Sequence, residues 1–107
     1  MIQVIYHRQY NRVAIHGHAG SGPEGHDLVC ASVSALALTL AGNVSYMEAQ
    51  EAVHGVIIKL EEGNAEIQCT PYRRYRDSVE RVFRAICVGF ELLATKYPGN
   101  ISYECRV

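Results

Sequence analysis

The chain has 107 residues, of which 49% are hydrophobic and 20% are charged, and its formal net charge is -1 at pH 7. This composition indicates one globular domain with a single core, and it excludes a disordered chain. A near-neutral charge provides no basic surface, so we expect no direct contact with nucleic acid or with a membrane. The N-terminus becomes polar too early for a signal peptide, and no apolar run approaches the ~18 residues of a membrane span. The sequence therefore predicts a cytoplasmic protein.

The first half of the chain is predicted to form two strands, a loop and a helix. Strand-like runs cover residues 2–6 and 12–17, and residues 9–11 between them suit a hairpin connection. Residues 18–26 are rich in glycine and predict a mobile loop. Small and apolar residues then predict a helix over 27–41. They occupy more than one helical face, so we expect this helix to be buried on several sides.

The second half is predicted to form two strands, an amphipathic helix and a final strand. Gly42 and Asn43 are expected to end the first helix. The later elements lie at residues 56–60, 65–69, 75–96 and 101–105. Glu61 and Glu62 belong to the short turn between the first two of these strands, which must then be antiparallel. The predicted fold is α+β: a single domain over 1–107 with ββαββαβ order and a small, mostly antiparallel sheet packed with two main helices.

The four cysteines are widely spaced and form no Cys-x-x-Cys pair, which indicates reduced thiols rather than a disulfide framework. Cys69, Cys87 and Cys105 lie in strand-like or apolar helical patterns. Each of these three is therefore predicted to pack as a small hydrophobic side chain. Cys30 differs, because the residues near it in the sequence suggest a reactive thiol.

Cys30 follows Asp27 by three residues at the predicted start of the first helix. Aspartate is a good N-cap, because its carboxylate accepts hydrogen bonds from free N–H groups of the first turn. Cys30 would then lie in that first turn, where the helix dipole favours an anionic thiolate. His18, at the end of the second predicted strand, could act as its proton acceptor or imidazolium partner.

The loop between His18 and Cys30 carries Gly20, Gly22 and Gly25. These glycines would let the loop fold over a substrate and close the site. The pattern also permits other interpretations. A cysteine near a helix start is often only packed. His16 and His18 share one strand face, so they could bind a metal together with Cys30 or Asp27. Because no second close pair of ligands completes a tetrahedron, we expect neither a metal nor a cofactor.

A longer run of residues resembles a known family. The run is Gly17-His18-Ala19, a glycine-containing loop, and then Gly25-His26-Asp27-Leu28-Val29-Cys30-Ala31-Ser32-Val33-Ser34-Ala35-Leu36. It resembles the signature of the ribosomal-processing cysteine protease family, Prp, and the order of elements along nearly the whole chain is similar to that family. The resemblance places the catalytic histidine at His18, the nucleophile at Cys30 and a supporting aspartate at Asp27.

The resemblance also implies a biological role. Proteins of this family are cytosolic homodimers that remove an N-terminal extension from a large-subunit ribosomal protein, cutting after an aromatic residue. We therefore expect a ribosomal protein precursor as the peptide substrate and a homodimer as the assembly. One alternative is a non-catalytic ribosome-associated or assembly factor on the same fold, in which Cys30 is only packed. Thiol alkylation rates separate the two, because a catalytic thiolate reacts much faster than a buried thiol.

Overall fold

The computed structural model describes residues 1–17 and 25–107, and within 25–107 it describes side chains from residue 28 onward. In this part of the chain the strands are β1 (Ile2–His7), β2 (Arg12–His16), β3 (Val53–Glu61), β4 (Asn64–Pro71) and β5 (Ile101–Arg106). The two long helices are α1 (Gly25–Ala49) and α2 (Arg76–Lys96). The predicted ββαββαβ order is confirmed.

The strands form a single mixed sheet with the order β3-β4-β2-β1-β5. The pairs β1–β2, β2–β4 and β3–β4 are antiparallel, and β1–β5 is parallel. Tight turns connect β1 to β2 and β3 to β4, because Asn11 (φ +47°) and Gly63 (φ +76°) adopt backbone conformations that reverse the chain within a few residues. The predicted α+β, mostly antiparallel sheet is therefore confirmed, with β3 and β5 as its edges.

Both helices pack on one face of this sheet. Alternate strand residues such as Val4, Val13 and Ile67 point into the core, where they meet buried residues of α1 and α2. In one such contact Phe83 of α2 stacks on Tyr6 of β1, with 6.1 Å between ring centroids. The opposite face carries mostly polar and charged residues around the buried pair Ile5 and Ala14, and in the described part of the chain no helix covers it. The domain is thus a two-layer α/β sandwich with a single core.

The first helix is longer than its sequence predicts, because α1 continues through Gly42 and Asn43 to Ala49. An exposed glycine inside a helix costs only about 1 kcal/mol relative to alanine. Burial of Val44 and Met47 beyond it offsets that cost. The Asn43 side chain also donates a hydrogen bond to the carbonyl oxygen of Thr39 at 2.8 Å, inside the helix rather than at its end.

One face of α1 is exposed, so the prediction of burial on several sides is wrong. Val29, Val33 and Leu40 lie in the core, whereas Leu38 and Tyr46 on other faces are 61% and 66% exposed. The prediction failed because a second apolar face on a helix of a two-layer domain has no layer above it. In the described part of this chain, that face has no covering element.

The apolar character of α1 also bears on membrane binding. Within Leu28–Ala49 an 18-residue window has a mean hydropathy of 1.7, and this helix is long and apolar enough to cross a bilayer by length and composition alone. The expectation concerned an uninterrupted apolar run, and Ser32, Ser34 and Thr39 interrupt this segment. The leucine and valine residues between them keep its mean hydropathy high. A core helix passes the same test, and α1 packs one face into the core of this domain. This single helix does not by itself indicate a membrane protein.

The packing of α1 against α2 depends on Gly89. A Cβ there would lie 2.8 Å from Leu36 Cδ2. We expect Gly89→Ala to lower the free energy of unfolding by about 1 kcal/mol. Overpacking costs about 1–3 kcal/mol, and the higher helix propensity of alanine offsets about 1 kcal/mol of that cost. Urea denaturation measures the change. In a Leu36→Ala background the same substitution should stabilise the protein, and a stabilised Gly89→Ala single variant would contradict this account.

Candidate active site

An open cavity of about 710 Å³ lies between α1 and the end of the sheet where β3 turns into β4. Cys30 and Ser34 form its helix wall, Ile15 belongs to its sheet wall, and Leu60 and Glu61 belong to its hairpin wall. The volume is in the range of ordinary ligand pockets, and the lining is largely apolar with a few polar groups, as is usual for binding sites. This cavity is therefore the candidate active site.

Cys30 brings a thiol to the cavity wall and is partly exposed. It is the sixth residue of α1, since the helix begins at Gly25. The predictions that Asp27 is the N-cap and that Cys30 lies in the first turn are therefore wrong. The sequence could not separate these cases, because an acidic residue is favoured both at the cap and within the first turn.

The longer helix start does not remove Cys30 from the influence of the helix terminus. Side chains in an α-helix lean toward its N-terminus, so the Cys30 sulfur covers the turn that precedes its own Cα. The first four N–H groups of any helix lack intrahelical partners. In α1 these include the N–H groups of residues 25–27, about one turn before Cys30. The thiol thus lies close to the positive end of the helix dipole.

Gly17 forms the end of the sheet wall, directly after β2. Its φ of +100° is a conformation that side chains rarely adopt, and a Cβ there would collide with the carbonyl oxygen of Met1. Its N–H donates a hydrogen bond of 3.0 Å to the carbonyl oxygen of Gly63 in the β3–β4 turn. Gly17 therefore joins two walls of the cavity at a point where only glycine fits.

The β3–β4 turn gives the cavity a negatively charged rim. Glu61 and Glu62 both line it, and Lys59 Nζ lies 3.8 Å from Glu61 Oε2 on the exposed surface. Among the described lining residues there is no lysine, arginine or histidine. The sequence alone indicated only a turn at these glutamates. A signal was present, since two adjacent carboxylates lie where β3 ends and its two-residue turn begins.

The remaining cysteines differ from Cys30. Cys69 and Cys87 are buried, and this burial raises the pKa of Cys69 to about 11 and that of Cys87 to about 12. Their prediction as packed small side chains is confirmed. Cys105 is exposed, so the same prediction is wrong there, because β5 is an edge strand whose last residues extend past the helices. All four thiols are free.

These environments predict which thiols react. At pH 8 iodoacetamide should label Cys30 and Cys105 within minutes and leave Cys69 and Cys87 unmodified, because the two buried thiols stay protonated until the pH approaches 11 or 12. Peptide mapping by mass spectrometry at several pH values below 9 gives the labelled positions. Labelling of Cys69 in the folded protein at pH 8 would show that the core opens more readily than the burial indicates.

The metal-binding alternative does not fit the described residues. His16 is exposed on the open face of the sheet, since its neighbour Ile15 points into the core, whereas Cys30 lies on the helix side. The sheet thus separates His16 from Cys30. In the described ranges, no three of the residue types His, Cys, Asp and Glu lie close enough together to hold a metal ion.

Several predicted site residues fall outside what the structure describes. His18, Gly20 and Gly22 lie outside the described residues, so their predicted roles stay predictions. Asp27 belongs to α1 by its backbone, but its side chain is outside the description. Gly25 was predicted as a loop residue and instead begins α1.

Comparisons with known proteins agree with this geometry. SMU.848 from Streptococcus mutans is 27% identical with a TM-score of 0.69, and the match covers 98% of this chain and 93% of that chain. The S. aureus ribosomal processing protease Prp in complex with a substrate peptide gives 20% identity and a TM-score of 0.72, covering 99% and 100% of the two chains. The same protease with a covalently linked product peptide is 19% identical with a TM-score of 0.69, and the match covers 98% of this chain and 97% of that chain. These two structures show a shared fold.

No curated protein matches this chain significantly. The family model described as cysteine protease Prp, however, matches residues 1–102, which is nearly the whole chain. That match covers all three walls of the cavity and the partly exposed thiol of Cys30 within it. The chain belongs to the Prp family of cysteine proteases.

Proposed function

We propose that this protein removes the N-terminal extension of a large-subunit ribosomal protein, with Cys30 as nucleophile and His18 as its acid–base partner. The observation that carries the proposal is the position of Cys30, a reactive type of residue that lines an open cavity near a helix N-terminus. Family membership supports it. So does the shared fold with an S. aureus relative described as a ribosomal processing protease.

The proposed reaction has two halves. The Cys30 thiolate attacks the scissile carbonyl carbon, and His18 donates a proton to the departing amine, which leaves a thioester on Cys30. His18 then takes a proton from water, whose oxygen attacks the thioester carbonyl and releases the new carboxylate and the thiol. N–H groups of the first turn of α1 stabilise the oxyanion in both halves. Asp27 supports the site from that same turn.

The proposed pairing of His18 with Cys30 agrees with the chain path. Gly17, to which His18 is bonded, lines the cavity that also contains Cys30. Gly20 and Gly22, in the segment that joins the two, would allow it to close over a bound peptide. If that is so, replacing these glycines by alanine slows cleavage more than it lowers stability.

The lining of the cavity suits the proposed substrate. Ile2, Ile15 and Leu60 provide apolar surface for a large side chain, in agreement with the family's cleavage after an aromatic residue. Glu61 and Glu62 give the rim a negative charge, which attracts a positively charged polypeptide. A basic ribosomal protein with an apolar extension has both properties.

The test is to incubate the purified protein with the ribosomal precursor and to read the N-terminal mass of the product. We expect one shortened species whose new N-terminus follows an aromatic residue. His18→Ala should slow its formation and should also slow alkylation of Cys30 relative to Cys105, which serves as an internal control. A precursor that stays intact, with Cys30 and Cys105 alkylated at equal rates, would refute the proposed function.

We also infer that the protein acts as a cytoplasmic homodimer, as its family does. The exposed apolar face of α1, with Leu28 at 56% and Tyr46 at 66% exposure, supports the dimer, because a large exposed apolar surface is usually covered by a partner. Light scattering after size exclusion should give twice the mass of 11.9 kDa. Tyr46→Glu should shift the protein toward monomer, and a monomeric wild-type protein would contradict the inference.

A further inference from the structure

We infer that the peptide substrate binds by adding an extended strand to the free edge of β3, so that its backbone is held by the sheet while its side chains reach the cavity. The inference rests on the proposed function and deepens it, because it specifies the conformation of the substrate and the surface that selects it. Strand addition to a sheet edge is a common way for proteins to hold an extended peptide.

The first observation is that β3 has one unused side. Residues 57–61 pair in regular antiparallel register with residues 64–68 of β4. On the other side of β3, no strand pairs with it in the described part of the chain. Every second N–H and C=O group of an edge strand points away from its neighbour. Residues 57–61 therefore present a row of backbone groups that a further strand can bind.

The second observation is that this edge is apolar and accessible. Ile57, Ile58 and Leu60 are 46%, 37% and 44% exposed. Successive strand residues point to opposite faces, so both faces of the edge are open. Proteins usually protect a long apolar edge, because it invites pairing with another chain. An exposed apolar edge of this kind is suited to bind a peptide strand.

The third observation concerns the length of the edge. The register between β3 and β4 is interrupted between His54 and Ile57, where Gly55 has a φ of +59°. A bulge of this kind twists a strand and ends regular pairing. It leaves residues 57–61 as the regular stretch, and this stretch is the half of β3 that adjoins the cavity. The docking edge is thus confined to the segment where a bound peptide would be cleaved.

The fourth observation connects the edge with the thiol. Leu60 and Glu61 belong to β3 and also line the cavity. On the opposite wall, Cys30, Ser34 and Leu38 lie at intervals of four residues and form one row along α1. A peptide strand added beside β3 would run between the edge and this row, with alternate side chains directed toward α1. Its backbone would provide affinity, and the cavity would select the side chain next to the scissile bond.

The other edge of the sheet provides a matched control. β5 is also an edge strand, and it pairs only with β1 among the described strands. It contributes no residue to the cavity in the described ranges. Strand addition directed by the site should therefore affect β3 and leave β5 unchanged.

The experiment is amide hydrogen exchange on the Cys30→Ala variant with a saturating synthetic peptide that spans the extension and the first mature residues of the ribosomal protein. We expect alternate amides of residues 57–61 to exchange at least about tenfold more slowly with the peptide, since each gains a hydrogen bond. Amides of residues 102–106 should not change. Peptide binding without protection of residues 57–61, or with equal protection at both edges, would overturn the inference.

A second measurement uses the substrate backbone. Single N-methyl groups placed along the peptide should raise KM by about tenfold at every second residue and leave the intervening residues nearly unaffected. An effect without this period of two would overturn strand addition. Cleavage of the unmodified peptide by the wild-type protein separates the two proposals. If cleavage occurs without the period, only this inference fails, and if no cleavage occurs, the proposed function fails and this inference with it.

Discussion

Replacing Cys30 by serine should abolish cleavage of the ribosomal precursor and leave the fold intact. The two side chains are nearly the same size, so the partly exposed wall of the cavity changes little. A serine hydroxyl, however, ionises far less readily than a thiol and therefore provides almost no anionic nucleophile. We expect kcat to fall by a factor on the order of 1000 or more. Initial rates measured by mass spectrometry give the loss.

The other three cysteines provide the controls for this variant. Cys105→Ala alters an exposed thiol outside the cavity and should keep full activity. Cys69→Ala and Cys87→Ala remove buried side chains, so they should lower the melting temperature and leave the rate per folded molecule largely unchanged. Cleavage at an undiminished rate by Cys30→Ser would eliminate Cys30 as the nucleophile.

Replacing Gly17 by alanine should damage both stability and activity. The backbone there has a φ of +100°, and the new Cβ would collide with the carbonyl oxygen of Met1, which cannot move without disturbing β1. Strain and overpacking together should cost on the order of 3 kcal/mol. The hydrogen bond from Gly17 N–H to Gly63 would also be displaced, so two walls of the cavity would separate. Chemical denaturation and precursor cleavage measure the two effects.

Gly99→Ala is the matched substitution, because a Cβ at Gly99 would meet open space. Its stability should stay within about 0.5 kcal/mol of the wild type, as for most surface changes. D-alanine at position 17, introduced by semisynthesis, should restore stability, since a D-residue accepts a positive φ and its Cβ lies on the other side of the Cα. Wild-type stability and activity in Gly17→Ala would show that neither strain nor the Gly63 contact matters to the site.

The order of elements could be predicted from the sequence because local patterns determine it. The amphipathic repeat over α2 and the short turn at Gly63 each contain their own structural information within a few residues. The parallel pairing of β1 with β5 could not be predicted in the same way. It depends on residues at opposite ends of the chain, and no local pattern specifies which edge a final strand joins.

The ends of α1 show a different limit. Gly42 and Asn43 are typical of a helix end, yet the helix continues because Val44 and Met47 find the core. At the other end, Asp27 is typical of a cap and instead lies inside the helix. At the C-terminal end a local preference worth about 1 kcal/mol is outweighed by burial of apolar side chains, which the sequence does not reveal residue by residue.

The site was only partly predictable for a related reason. Cys30 could be identified because a cysteine near a helix start has a chemical signature. The contributions of Gly17 and Glu62 could not be inferred from pattern, because they arise where the end of β2 meets the β3–β4 turn. Such a contact joins residues that are far apart in sequence, and only the sheet order β3-β4-β2 brings them together.

The parallel pair β1–β5 has a consequence for the order of folding. Ile2 of β1 pairs with Ile101 of β5, so this pairing closes nearly the whole chain into one loop. Closing a long loop costs more chain entropy than closing the short β1–β2 hairpin, so we expect the hairpin and its helices to assemble before β5 docks. A substitution that weakens the packing of Ile101 should then accelerate unfolding and leave the folding rate nearly unchanged. The C-terminal strand would be the last part of the sheet to form and the first to detach.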